Sequence, residues 1–527
     1  MAGNVNNGRT SFRRRRLIIH ARAGLNPADF LIIVVYLAGI TLFGLRFRKS
    51  QRTLKDYFLA DRNIPWWALA LSIVAAETST LTLVSVPGLA YDTNFTFLQL
   101  ALGYLVGRVI ICLILLPQYF KGYLFTAYQL IQRRFGGKLR TYTAGLFLVT
   151  RASAEGVRIY AVAIVIGIAL GPELGAFSDF RRDLIAISIV ALLTLIYTFE
   201  GGLAAVIWTD VIQTFIYIGG TIVGFFTLLH LIPGGWHNIH ATAAAAGKFR
   251  VFDFSLDFWK TYTFWSGVIG GAFLTTASHG TDQLIVQRLL AARNLAQSRL
   301  ALLASGVAVL LQFALFLCIG AMLWVFYRAF PPAETFTKTD RIFPTFIVSQ
   351  MPHLVSGLLI AAILAAAMSN LSAALNSLTS TSIIDFWLRL YPASTERTRM
   401  LLSRIGTICW GLVLFCLALL SRRGGKVVEL GLAIASVAYG ALLGTFLLGV
   451  LTKRANQWGT GIGMTIGFLV NIYIWQGHAI VPRFALPRPI PFPWYVPIGS
   501  LITFAIGYIA SLALGGHHEP DTTASPE

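Results

Sequence analysis

Acidic side chains are scarce in this chain. It holds 22 Asp and Glu among 527 residues, and residues of either charge make up only 12%, about half the share of a typical soluble domain. An ordinary soluble globule of this length is thereby excluded. Cysteine is almost missing too. Cys112, Cys318, Cys409 and Cys416 all lie in apolar stretches, without CxxC spacing or a histidine close in sequence, so they read as packing residues and not as a metal site. HExxH, GxSxG and paired-cysteine motifs are absent, which leaves a membrane-embedded enzyme without support.

What the chain has in abundance is apolar surface. Hydrophobic residues make up 56% and the mean hydropathy is +0.70, so much of the surface is expected to face lipid. In hydrocarbon only α-helices and closed barrels satisfy their backbone polar groups. The apolar runs last about 20 residues, not the ~10 of a barrel strand, so the fold class is an all-α polytopic membrane protein. The formal charge of +20 comes from Lys and Arg gathered between apolar runs. That is a topology signal, and no nucleic-acid partner is expected.

Windows of about 19 residues place thirteen spans, near 29–47, 65–90, 97–119, 140–170, 183–199, 203–232, 263–289, 300–328, 352–384, 403–421, 428–452, 457–476 and 494–515. The expected division is a basic tail at 1–28, a membrane domain at 29–515 and a short, unstructured tail at 516–527. No cleavable signal peptide is expected, because Arg13 to Arg16 precede only a few apolar residues. With the N-terminus outside, the inner loops carry twenty Lys and Arg and the outer loops thirteen. The six arginines of the basic tail oppose this bias, and the basic loop after the first span is expected to dominate insertion. Asn63 and Pro65 read as the start of the second helix, and the outer segment from Trp236 to Lys260 is expected to carry a short helix.

Ionisable or hydroxyl-rich stretches inside a span mark a polar interior by default, because a central charge costs roughly 2.5–3.5 kcal/mol on insertion scales. Glu77 sits mid-span between Ala75-Ala76 and Thr78-Ser79-Thr80, a run suited to an unwound helix. It is either part of a binding site or a structural carboxylate tied to Arg151 or Arg158. Arg151, Glu155 and Arg158 fall on one helical face as a salt-bridge stripe. The seventh span is interrupted around Thr275, His279, Asp282 and Gln283; His279 can be a satisfied interior histidine, and Asp282 a site residue or a helix cap. Two interrupted spans five spans apart are what a five-plus-five inverted repeat requires, here 65–232 and 263–452, and they point to a binding site between them. Ser369, Asn370, Ser372 and their hydroxyl neighbours in the ninth span are oxygen donors of the kind a small hard cation takes, or small residues at a packing face.

Taken together, five segments resemble those of the sodium/solute symporters. They are Asp56-Tyr57-Phe58-Leu59-Ala60, the run from Gly201 to Gln213 (GGLAAVIWTDVIQ), Asp282 to Arg288 (DQLIVQR), Ser372 to Ser377 (SAALNS) and Lys453-Arg454-Ala455-Asn456. The resemblance spans about residues 29–475. It implies a LeuT-like fold with one leading helix, ten core helices in two inverted repeats and two trailing helices. It also implies sodium-coupled uptake of a small organic solute by alternating access, in a multi-pass protein of the cell membrane (the inner membrane in a bacterium).

Matched residue by residue, sodium would meet carbonyls of Ala75, Thr78 and Ala366 and the hydroxyl of Ser369. Asn370 stands where the family usually has Ser or Thr, and Asp210 is the coupling residue or a helix cap. Glu77, Thr80, His279, Asp282 and Gln283 are the candidate solute ligands. Sugar carriers of that family use a carboxylate in the second core helix and a Gln in the first; here the span 97–119 has no carboxylate and no Gln lies between Trp66 and Tyr91, so the resemblance disfavours a sugar. Glu77 would disfavour a naked anion unless its charge is paired or protonated, which leaves room for an amine-bearing or zwitterionic solute, or for proton involvement through Glu77. Proton-coupled or uncoupled carriage and a membrane sensor are the alternatives. A homo-oligomer stays open.

Overall fold

A computed structural model of the protein describes residues 25–45, 63–121, 127–171, 177–197, 202–332, 335–423, 425–480, 482 and 486–515. Most of the basic tail, the Asp56 to Ala60 segment, Gly201 and the tail from 516 lie outside the described residues.

The first helix, α1, runs Pro27–Leu45. The second expected span is a pair, α2 (Trp66–Glu77) and α3 (Thr80–Asp92), bent by 65° at the break. Next come α4 (Phe95–Lys121), a short α5 (Ala127–Phe135), α6 (Gly137–Ala169), α7 (Asp179–Tyr197), α8 (Gly202–Leu231) and the outer α9 (Gly235–Ala245). The seventh span is again a pair, α10 (Phe264–Gly280) and α11 (Gln283–Leu290). The chain ends with α12 (Leu295–Ala329), α13 (Ile342–Gln350), α14 (Val355–Thr381), α15 (Glu396–Ser421), α16 (Val427–Leu451), α17 (Gln457–Ile480) and α18 (Tyr495–Leu514). Each of the thirteen expected spans falls on a helix or a pair of helices. By length and apolarity alone, eight single helices and the α2–α3 pair pass for membrane crossing among the described residues.

Helix starts are set by short polar side chains, which accept from the first unpaired amides. Thr263 and Ser266 form a capping box on α10, and Asn294 accepts from the Gln297 amide at α12. Asn63 does not cap α2, which starts after Pro65 without a side-chain cap; its Oδ1 instead accepts from Arg293 Nε at 3.0 Å. The leading helix is fastened to the start of α14 by the buried Asp29, which accepts from the Leu354 amide at 2.7 Å and lies 3.0 Å from His353 Nδ1. That bond holds Leu354 at φ 67°, a left-handed conformation that leucine rarely takes.

On the outer side, as the basic loops orient the chain, α9 and the segment after it cover the tip of α3. Lys248 is buried there and donates from Nζ to the carbonyls of Tyr91 (2.6 Å) and Thr93 (2.9 Å). A cation at a helix C-terminus satisfies both the orphan carbonyls and the dipole. Beside it, Asp253 is held near a pKa of about 2, chiefly by the bond from Lys260. Its contribution to stability is therefore present above the ordinary carboxylate range and lost as pH falls toward 2.

Helices α4 and α10 pack along a seam of glycines, which lets their backbones approach where larger residues would hold them apart. A Cβ on Gly267 would lie 2.8 Å from both the carbonyl carbon and the Cβ of Gln99. Gly267→Val should therefore cost ~1–3 kcal/mol by overpacking. Thermal unfolding of the purified protein in detergent should show a midpoint lowered by several degrees. Gly39→Ala, where a Cβ meets nothing within 4 Å, should leave it unmoved; equal midpoints for the two variants would disprove the packing account.

Candidate functional site

The site begins where the first broken helix leaves its hydrogen-bond ladder. In a continuous helix the amides of Ser79 and Thr82 would serve the carbonyls of Ala75 and Thr78. Here the Ser79 amide turns to the Glu77 carbonyl (3.0 Å) and the Thr82 amide to the Ser79 carbonyl (2.9 Å). The carbonyls of Ala75 and Thr78 are thereby released from those partners. The break is held from α12, where Gln312 Oε1 accepts from the Thr78 hydroxyl at 2.8 Å.

The second break is supported in the same manner. Tyr119 of α4 donates to the carbonyl of Gly280, the last residue of α10, at 2.5 Å. Asp282 then caps α11, accepting from the Leu284 amide at 2.9 Å and from the Tyr439 hydroxyl at 2.9 Å. Of its two expected roles the cap is the one the structure shows. Gln283 faces α5, where its Oε1 accepts from the Ala127 amide at 2.8 Å. Both residues belong to the framework of the break.

Glu77 and His279 meet across the two breaks, with a third partner. The Glu77 carboxylate pairs with Arg108 Nη2 of α4, so its expected ties to Arg151 or Arg158 are replaced. A carboxylate takes the cation that lies nearest once helices pack, and α4 is the helix packed against α10. His279 Nε2 lies 3.4 Å from Glu77 Oε2 and from Arg108 Nη2, and its Nδ1 lies 2.9 Å from Ser278 Oγ. Arg108 has 0% of its side chain exposed and Glu77 12%. Sequence reasoning passed over Arg108, although a guanidinium in the middle of an apolar span is as strong a signal as Glu77 itself.

A separate clasp lies closer to the inner side. Asp210 Oδ2 accepts from Arg288 Nη2 of α11 at 2.9 Å and from Ser72 Oγ of α2 at 2.6 Å, and Arg288 Nε donates to Ser72 Oγ at 2.8 Å. Asp210 lies two turns inside α8, so it is not a cap; it ties α8 to both inner half-helices.

A small, partly open cleft lies beside the first break, lined among others by Ser79, Thr80, Glu155, Arg158, Asn370 and Leu371. The expected stripe on α6 is present. Glu155 Oε1 lies 2.8 Å from Arg151 Nη2 and 2.9 Å from Arg158 Nη1, and Arg151 lies 4.0 Å from Asp282. Arg158 keeps 30% of its side chain exposed. Ser369 is half-buried one residue before Asn370. Of the expected solute ligands, Thr80 is the one that lines this cleft.

Two interrupted helices, with released carbonyls at the first and a cleft beside it walled by α6 and α14, are working parts of a LeuT-fold secondary transporter. A model of the sodium:solute symporter family matches residues 57–467, and the chain belongs to that family. It is similar to the sodium/sialic acid symporter SiaT of Proteus mirabilis (strain HI4320), with 29% identity over 92% of this chain and 94% of the relative. It is also similar to the human sodium/iodide cotransporter, with 27% identity over 86% and 70%.

Among solved structures, the substrate-bound outward-open state of a Na+-coupled sialic acid symporter superposes with a TM-score of 0.78 at 27% identity, over 94% of this chain and 99% of that one. The inward-facing conformation of Mhp1 shares the fold alone, with a TM-score of 0.53 at 13% identity. The chain is thus a sodium-coupled symporter of a small solute, multi-pass in the cell membrane, and not an enzyme.

The Asp210 clasp yields a prediction. Removing one partner of a buried ion pair strands the other, at ~3–5 kcal/mol. Asp210→Asn should lower thermal stability more than the double variant Asp210→Asn/Arg288→Gln does. A double-mutant cycle on the unfolding midpoint measures this, and strictly additive losses would contradict the clasp.

Proposed function

We propose that the chain takes up a small carboxylate-bearing solute together with sodium, and that the cleft beside the first break is where the solute binds. The observation that carries this reading is Arg158. It lines the cleft, is partly exposed, and shares a single oxygen of Glu155 with Arg151, so it keeps N–H donors for a planar anion. The objection from Glu77 falls away, since Arg108 takes up its charge. Relatives that carry acids support the same class: sialic acid symporters and sodium-coupled monocarboxylate transporters.

For sodium the site comprises the carbonyls of Ala75 and Thr78, the carbonyl of Ala366, the hydroxyl of Ser369 and the carboxamide oxygen of Asn370. The donor set fits: all are hard oxygens, and the two break carbonyls are free of the helix ladder. Asn370 lines the cleft together with Ser79 and Thr80, so the longer side chain reaches the break that a serine would approach less closely. Thr80 and Arg158 hold the solute, and Asp210 couples the inner half-helices to α8.

A sodium ion moving down 100 mV contributes ~2.3 kcal/mol, which the charge of a monocarboxylate carried one-for-one with it cancels, so uptake of the acid draws on the sodium concentration gradient. The two repeats rock around the loaded site to expose it on alternate sides.

Proteoliposomes test the reading. Labelled sialic acid and a monocarboxylate such as lactate are offered with and without an inward sodium gradient. Gradient-dependent uptake of at least one acid is expected, and uptake restricted to amines or sugars would overturn the solute class. Arg158→Gln should raise KM for the acid by roughly ten- to a hundredfold, as the loss of a charge-assisted hydrogen bond does. Ser369→Ala should raise the sodium concentration for half-maximal uptake on the order of tenfold; an unchanged sodium dependence would remove Ser369 from the ion site.

A further inference from the structure

We propose that Arg108 sets the affinity of the cation site, by cancelling the charge of Glu77 beside the carbonyls that hold the ion. The inference rests on the reading that Ala75 and Thr78 contribute those carbonyls. Glu77 lies between them in sequence and is the last residue of α2, so its carboxylate is fixed to the same few peptide units. An uncompensated carboxylate there would act on a bound cation through a poorly screened interior.

The setting of Arg108 shows that its charge is what the fold retains. The guanidinium is fully buried, yet Nε and Nη1 have no hydrogen-bond partner among the described residues. A buried donor left unpaired is costly, and a polar network chosen for hydrogen bonding would not leave two. What it does have is Glu77, through Nη2, and His279 at 3.4 Å.

The neighbouring helix is shaped to admit the side chain. A Cβ on Gly306 of α12 would lie 2.7 Å from Arg108 Cδ. The other buried carboxylates of the region have their own partners: Asp210 has Arg288, Glu155 has Arg151 and Arg158, and Asp282 has Tyr439. The Glu77–Arg108 balance is therefore local to the first break.

With both charges present the break is neutral, and sodium meets only dipolar oxygens. With Arg108 removed, Glu77 adds a full negative charge and the site grips the ion more tightly. With Glu77 removed, Arg108 repels it. One unit charge within about 10 Å at an effective dielectric near 20 changes the affinity on the order of tenfold or more. A loosely held ion is what a symporter needs for release, so the arginine would trade affinity for turnover.

The test reads sodium binding directly on the full-length protein in detergent. Sodium chloride is titrated against choline chloride at constant ionic strength and constant pH, and the sodium-dependent rise in unfolding midpoint is followed. Arg108→Gln should bind sodium about tenfold tighter than the unmodified protein, and Glu77→Gln about tenfold weaker. The double variant should return to within about threefold of it, and Arg108→Lys should stay near it. If Arg108→Gln fails to fold, Glu77→Gln and the double variant decide.

Singles that shift in the same direction, or a double variant that stays as far off as Glu77→Gln, overturn the inference and leave the cation site standing. An unmodified protein with no sodium-dependent shift overturns the cation site, and the inference with it.

Discussion

A helix can be interrupted inside a bilayer only where protein repays the backbone groups set free, because lipid offers no hydrogen bonds. This constraint organises the molecule. The break at Thr78 is repaid by Gln312, the break at Gly280 by Tyr119, and the start of the following half-helix by Asp282. Lys248 closes the far end of α3 against the outer cover. Each repayment comes from a different element, so the surrounding helices are placed by what the two breaks need. Among the carbonyls left without their helical partners are those of Ala75 and Thr78.

Charge follows the same economy. A buried ion is tolerable when paired, and the pairs differ in what they join. Glu77 with Arg108 joins α2 to α4, and Asp210 with Arg288 and Ser72 joins α8 to α11 and α2. Glu155 with Arg151 and Arg158 lies within about two turns of α6. The Asp210 set, which reaches from α8 to Ser72 on α2 and Arg288 on α11, ties the half-helices of the two breaks together. The set on α6 lies within one helix, and Arg158 lines the cleft from there.

Most of this architecture is readable from the sequence, because the bilayer leaves so few options. Apolar length gives the spans, and hydroxyl-rich interruptions at 75–82 and 275–283 give the breaks. Partner choice is where reading fails. For Glu77 the sequence offers the arginines of α6 as structural partners, conspicuous for their i, i+3 and i, i+4 spacing; in the structure both of those arginines meet Glu155. The partner in the structure, Arg108, is a lone cation in an otherwise apolar span, with no acidic neighbour in sequence to mark it. Asn63, Asp282 and Gln283 show the same limit. Their chemistry as caps or donors is legible, but which amide they serve depends on packing that no local pattern encodes.

The two ends of the broken helices are not tied with equal strength. At the outer end Asp92 meets Lys426 at 2.8 Å with half of the aspartate exposed, and such pairs are worth ~0–1 kcal/mol. At the inner end Asp210 and Arg288 are each about 5% exposed and share Ser72, so parting them is expensive until water reaches both charges. The outer side is held as well by the buried Lys248 at the tip of α3, so on the proposed cycle the two ends part separately. The inner clasp must then yield as a unit, since Ser72 and Arg288 sit on the two half-helices that flank the path to the interior. Binding at the breaks and release beneath them are linked through the same short segments of α2 and α11, which is the physical content of coupling in this fold.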